Sequence, residues 1–265
     1  MPAVNPTRLK HQIEELLQIF NTPKVFRRRL QDLFSLYANR ALHHGDTPQQ
    51  QPTSPMYHLP PPLVRQLHMD LKPLIIRDPQ AALELGNELW KDSHFEIKQL
   101  AVYILGNTPL EEPDLILGQL ETWLDPDLDE GLKSTLLSTG TLTLQNKFPT
   151  EWESFLQSLL NHSDPKMVGF GIQGIQTSVE RTNFNNFPIA FRLLSPIIQN
   201  PDSTNMEELE NLTETLIKQS PTETAFFLKQ TLSISRSPET SRLIKRSLSL
   251  FPENIRQDLK SSLEH

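Results

Sequence analysis

At 265 residues, 37% of them hydrophobic and only 9 of them glycine, the chain can bury a substantial core and reads as a helical protein with short connections. It has no cysteine, which excludes disulfides, thiolate metal sites and a cysteine nucleophile, and no run of about 18 apolar residues, which excludes a membrane span. The formal charge of −7 argues against a nucleic-acid binder as a whole, yet residues 1–80 carry 10 Lys/Arg against 6 Asp/Glu, residues 81–160 carry 4 against 14, and residues 161–265 carry 11 against 12. The N-terminus, MPAVNPTRLKHQIEELL, lacks the apolar core and cleavage site of a signal peptide, so a cytoplasmic location is expected.

In chain order, Leu9, Ile13, Leu16, Leu17 and Phe20 predict a first helix. Pro23 opens a second, with Phe26, Leu30, Leu33, Phe34 and Tyr37 on its buried side. Residues 1–43 thus read as an N-terminal helical hairpin. Arg27, Arg28 and Arg29 lie between the apolar positions and read either as phosphate contacts or as a solvated helix face. Residues 44–61 lie in a Pro/Gln-rich stretch, HHGDTPQQQPTSPMYHLPPP, without apolar periodicity, and are expected to form a linker. His43, His44, Asp46 and His58 share no ligand-like spacing, so no metal site is expected there.

From residue 62 to residue 265 the pattern is regular. Helix pairs are predicted to begin near Pro62, His94, Pro126, Pro165, Asn205 and Pro238, at intervals of 32 to 40 residues. The clearest is Asp78 to Asn107. Asp78 caps and Pro79 opens its first helix, with Ala82, Leu85 and Leu89 on one face. Ser93 and Glu96 then form a capping box before a stripe of Ile97, Leu100, Ala101 and Ile104. Glu112-Pro113, Asp125-Pro126, Asp164-Pro165, Ser220-Pro221 and Ser237-Pro238 repeat the cap-and-proline signal. Thr150/Glu153, Thr204/Glu207 and Ser220/Glu223 repeat the box. Pro73 and Pro196 are expected to bend or end their helices. With no period-two alternation, the expected fold is all-α, an α-solenoid of about six HEAT-like antiparallel helix pairs.

No phosphate loop, H-E-x-x-H, G-x-S-x-G or dinucleotide fingerprint is present. Gly169, Gly171 and Gly174 in GFGIQG fall in phase with Val168, Ile172, Ile175 and Val179, which indicates close helix packing. Trp152 and Trp90 read as residues that staple or close helix pairs.

The stretch ELWKDSHFEIKQLAVYILGN resembles the helix pair of the bacterial DNA alkylation repair family, HEAT-like glycosylases that excise positively charged alkylpurines. Glu96, Lys98 and Ala101 carry the family's acidic, basic and small positions. The resemblance implies a metal- and cofactor-independent site in which an Asp and neighbouring Trp side chains sit by the sugar and stabilise its developing oxocarbenium charge, with an Arg from a later repeat. Trp123 and Asp127 stand where that Trp and Asp are expected. Asp125 and Asp129 leave the alignment open, and Asp125-Pro126 also reads simply as a helix start. Where the family has a W-x-R-R-type helix start this chain has SDPKMVGFGIQ, with no Arg or Trp from Asn161 to Glu180. Basic residues recur at Arg236, Arg242, Lys245, Arg246, Arg256 and Lys260. With Arg27, Arg28 and Arg29 they are the candidates to hold double-stranded DNA through its phosphates. The expected function is therefore a non-catalytic binding protein. The alternatives are an active alkylpurine glycosylase using Trp123 and Asp127, and a scaffold whose acidic residues 81–160 recruit a basic protein partner.

Overall fold

A computed structural model describes residues 6–38, 54–182, 184–235 and 237–264. The described residues form helices and no strand. None of these helices is long and apolar enough to cross a membrane. By packing, the chain divides into two compact units, residues 1–148 and 149–265.

The first unit contains α1 (Pro6–Leu17), α2 (Pro23–Tyr37), α3 (Pro61–Arg77), α4 (Pro79–Trp90), α5 (Phe95–Asn107) and α6 (Asp114–Trp123). A short α7 (Glu130–Thr135) then runs through a π segment (Leu136–Gly140) toward α8 (Leu142–Lys147). Alternate helices lie side by side. α1 packs on α3 and α3 on α5, while α2 packs on α4; α5 also meets α4, α7, the π segment and α8. The N-terminal hairpin is therefore packed onto the helices that follow it. Arg27 ties it down through an ion pair to the buried carboxylate of Glu88 at 3.0 Å and a hydrogen bond to the Glu88 carbonyl at 3.3 Å. Gln31 adds a bond to Asp92 at 2.7 Å.

Helix α5 is the centre of this unit: none of its 13 residues is exposed. Its start differs from the expected capping box. Ser93 makes no cap, and the Glu96 carboxylate instead accepts the amides of Tyr57 at 2.9 Å and His58 at 2.7 Å, while the Phe95 amide donates to the Pro55 carbonyl. A strap of residues 54–60 thus closes over the helix start: its Pro55 carbonyl accepts one terminal amide, and Glu96 holds two amides of the strap in return. Tyr57 is buried, with its ring edge-on to Phe34 and stacked on His94. Asp92 holds the turn by accepting the His94 amide at 2.9 Å and pairing with its ring at 2.8 Å.

At the far end of α5, Gly106 lies so close to the π segment that a Cβ there would collide with the Thr139 carbonyl. The widened π turn leaves backbone carbonyls to satisfy. The Thr141 hydroxyl and the Gln145 amide both donate to Leu137, and Thr143 donates to the Gly106 carbonyl across the contact.

The second unit contains α9 (Pro149–Leu160), α10 (Pro165–Val179), α11 (Phe187–Gln199), α12 (Met206–Gln219), α13 (Pro221–Ile234), α14 (Pro238–Ser247) and α15 (Glu253–Glu264). Here α10, α12 and α14 pack in one row, and α9, α11, α13 and α15 in another. Gly171 and Gly174 of α10 bring it against Leu160, Leu156 and Trp152 of α9, the close approach expected from their phase. Trp152 staples that pair by donating to the Ser178 hydroxyl at 2.9 Å.

Proline signals placed most helix starts correctly, with Asp78, Asp164 and Ser237 capping as expected. Several details are corrected. At Asp125-Pro126 there is a turn, in which the Asp125 carboxylate accepts the Asp127 amide; the helix begins four residues later, capped by Asp129. Pro113 occupies the cap position of α6. Thr150 lies inside α9, where Glu153 pairs with Arg192, and Asp202 rather than Thr204 caps the turn before α12. At Ser220 the hydroxyl bonds the Glu223 side chain and makes no backbone cap. Helices α3 and α11 continue through Pro73 and Pro196 without ending.

Two predictions follow from this packing. Gly106→Ala is expected to lose about 1–3 kcal/mol of stability in urea denaturation, because backbone must move. Gly118→Ala, mid-helix with nothing near its Cβ, is expected to gain about 0.5–1 kcal/mol; equal effects would refute the close contact. Burial raises the Asp92 pKa, but hydrogen bonds from His94 and Gln31 outweigh it and hold the carboxyl below the usual 3.8. A depressed carboxyl contributes stability above its unfolded pKa and loses it as pH falls through the folded one. Unfolding measured at about pH 5 and about pH 3 should therefore show a larger acid loss in the wild type than in Asp92→Asn.

Candidate aromatic–acidic cleft

Two helix ends and two helix starts meet in the first unit. Trp90 is the last residue of α4 and Trp123 the last of α6, while Lys98 lies in the first turn of α5 and Asp129 caps α7. The indoles stack almost parallel, 6° apart, with centroids 4.4 Å from each other. Trp123 is the inner ring, 3% exposed, and Trp90 is half-buried. The Lys98 ammonium stands over the Trp90 ring, 5.0 Å from its centroid. Around them opens a cleft of about 180 Å³, whose polar wall includes Ser54, Thr122, Asp125, Asp127 and Asp129.

The sequence candidates Trp123 and Asp127 thus line one cleft. Their chemistry differs from that of two exposed groups facing a ligand, because Trp123 is buried against Trp90 and the outward ring is Trp90, read from the sequence only as a residue closing a helix pair. Lys98 was visible as a family-like position but not as the cation on that ring. Helix dipoles oppose one another where two ends meet two starts, so side-chain charge decides the field. Three carboxylates against one ammonium make the cleft attractive to cations and repulsive to phosphate. Among the described residues no group of three or more His, Asp or Glu is arranged to hold a metal ion. His43, His44 and Asp46 lie outside the described residues.

Eight of the nine basic candidates lie among the described residues and separate into two kinds. Arg27 is paired with Glu88, Arg246 with Glu210, and Arg256 with Glu253 while also donating to the Phe251 carbonyl. Arg28 and Arg29 are exposed on α2; Arg242, Lys245 and Lys260 are exposed on α14 and α15. Arg236 lies outside the described residues.

No family model, no curated protein and no solved structure matches the chain.

The inner position of Trp123 predicts an asymmetry. Trp123→Ala is expected to cost about 3–5 kcal/mol in urea denaturation, as for a fully buried ring, and Trp90→Ala clearly less. Equal losses would show that the two indoles are equally buried.

Proposed function

We propose that the chain is a non-catalytic binding protein of HEAT-like helix pairs, similar to the DNA alkylation repair family, that contacts double-stranded DNA through phosphates. The observation that supports the binding reading is the packing of alternate helices side by side within each unit, the neighbour-on-neighbour pattern that in helical repeat proteins goes with extended binding surfaces. The DNA element is supported by exposed Arg28 and Arg29 on α2 and by Arg242, Lys245 and Lys260 on the last two helices. Arg27, Arg246 and Arg256 already serve carboxylates of this chain and contribute less.

A second reading, an active alkylpurine glycosylase, is favoured by one observation: Trp123 and Asp127 line the same cleft. A cationic alkylpurine is already a good leaving group, and a carboxylate beside the sugar would stabilise the charge that develops as the bond breaks. Against it stand the burial of Trp123 under Trp90 and the missing Arg or Trp between Asn161 and Glu180.

Fluorescence anisotropy with a labelled duplex, with and without an abasic-site mimic, across a salt series tests the DNA element. Log affinity is expected to fall linearly with log salt, and Arg28→Ala/Arg29→Ala to make the slope shallower by about 2, near one unit per lost phosphate contact. No binding at low salt would remove DNA from the proposal. Base release from an alkylated duplex, abolished by Asp127→Asn, would replace the non-catalytic reading with the glycosylase.

A further inference from the structure

The cleft is too negative for phosphate, and at about 180 Å³ it is smaller than the roughly 300–1,000 Å³ of a drug-sized ligand pocket. It fits one side-chain head group. A cation already stands in it, because the Lys98 ammonium lies over Trp90, the half-buried outer ring of the stack. The stack fixes that ring and gives its π face a defined position, and Asp125, Asp127 and Asp129 line the same space. Lys98 reaches this place on a flexible four-carbon stem from the first turn of α5, and it is itself only partly buried.

We propose that this cleft receives an arginine side chain from a basic protein segment, and that Lys98 is a tethered occupant which the arginine displaces. The inference rests on the binding-protein reading and names the ligand of its cleft. Arginine suits the site better than a second lysine. Its planar guanidinium stacks on an indole face and presents a fork of donors to a carboxylate in the same plane, whereas an ammonium offers only a point charge. Residues 81–160, which supply every lining residue except Ser54, hold 14 Asp/Glu against 4 Lys/Arg, so a basic segment is drawn toward the cleft before it docks. Lys98 then lowers apparent affinity by the fraction of time that it covers the ring.

This competition reverses the sign expected of a lysine. At a site for phosphate, Lys98→Ala weakens binding. Here it strengthens it, by about two- to fivefold for loss of one partly exposed cation–π contact. The test uses the full chain and a fluorescein-labelled hexa-arginine peptide followed by anisotropy, with a labelled duplex titrated in parallel. The expected results are tighter peptide binding by Lys98→Ala, at least tenfold weaker binding by Asp125→Asn/Asp127→Asn, and peptide-induced quenching of tryptophan emission in the wild type. The double Asn variant keeps side-chain oxygens that can accept the turn amide, so it preserves the local fold. Unchanged or weaker peptide binding by Lys98→Ala, or full affinity in the double variant, would overturn the proposal. Binding of duplex but not of peptide would overturn it while leaving the DNA-binding reading intact; binding of neither would remove both.

Discussion

Helix α5 must be covered on every side, and the first unit is arranged around that requirement. Eight of its 13 residues are buried, from Phe95 to Gly106. At about 25 cal/mol per Å² of apolar surface, a helix of this composition is far less stable in water than when enclosed. No single neighbour can enclose it. α4 covers one side, α3 another, and the α7–π–α8 stretch a third. The last contact is backbone against backbone at Gly106 and Thr139, closer than any residue with a Cβ permits. The π turn belongs to the same constraint. It widens the helix where α5 presses on it, and Thr141 and Gln145 satisfy the carbonyls left over.

Around the start of α5, three acidic side chains anchor other parts of the chain. Glu88, Asp92 and Glu96 do this, the first two tying α2 and the third the strap to the α4–α5 region. Glu88 receives Arg27 of α2, Asp92 receives Gln31 of α2, and Glu96 receives two amides of the strap. The acidic character of residues 81–160 thus has two components. Part of it holds the hairpin and strap in place, and part lines the cleft between the ends of α4 and α6.

Helix positions were legible because apolar phase and cap–proline pairs are local signals. Predicted starts at Pro62, His94, Pro165, Asn205 and Pro238 fall within one residue of observed ones. The errors occur where a side chain finds another partner, either far along the chain or among its immediate neighbours. Glu96 suits a capping box three residues from Ser93, but its carboxylate accepts the strap amides instead. Asp125-Pro126 has the chemistry of a helix start, yet Asp129 caps instead while Asp125 closes the preceding turn. The cleft was half legible. Trp123 and Asp127 are four residues apart and emerged together, whereas the Trp90–Trp123 stack and the Lys98 contact join residues from three helices. Periodicity along one helix carries no trace of such a pairing. The phosphate candidates fared similarly, because a string of arginines does not reveal that Arg27 reaches Glu88, 61 residues away.

The packing of each helix on those one or two places along the chain also bears on how the protein reaches its structure. Each helix packs on the next or the next but one, so the loops closed are of moderate length and their entropic cost grows only slowly with that length. The strap is among the longer-range elements of the first unit, since Tyr57 and His58 bond Glu96 nearly 40 residues on, and Arg27 and Gln31 reach Glu88 and Asp92 across 61. Its contacts can form only once α5 exists, and they complete a helix start that is otherwise left open. During synthesis α4 emerges before α5 and lacks its main covering partner until α5 follows. The interval before α5 arrives is therefore when this chain is most open to misassociation.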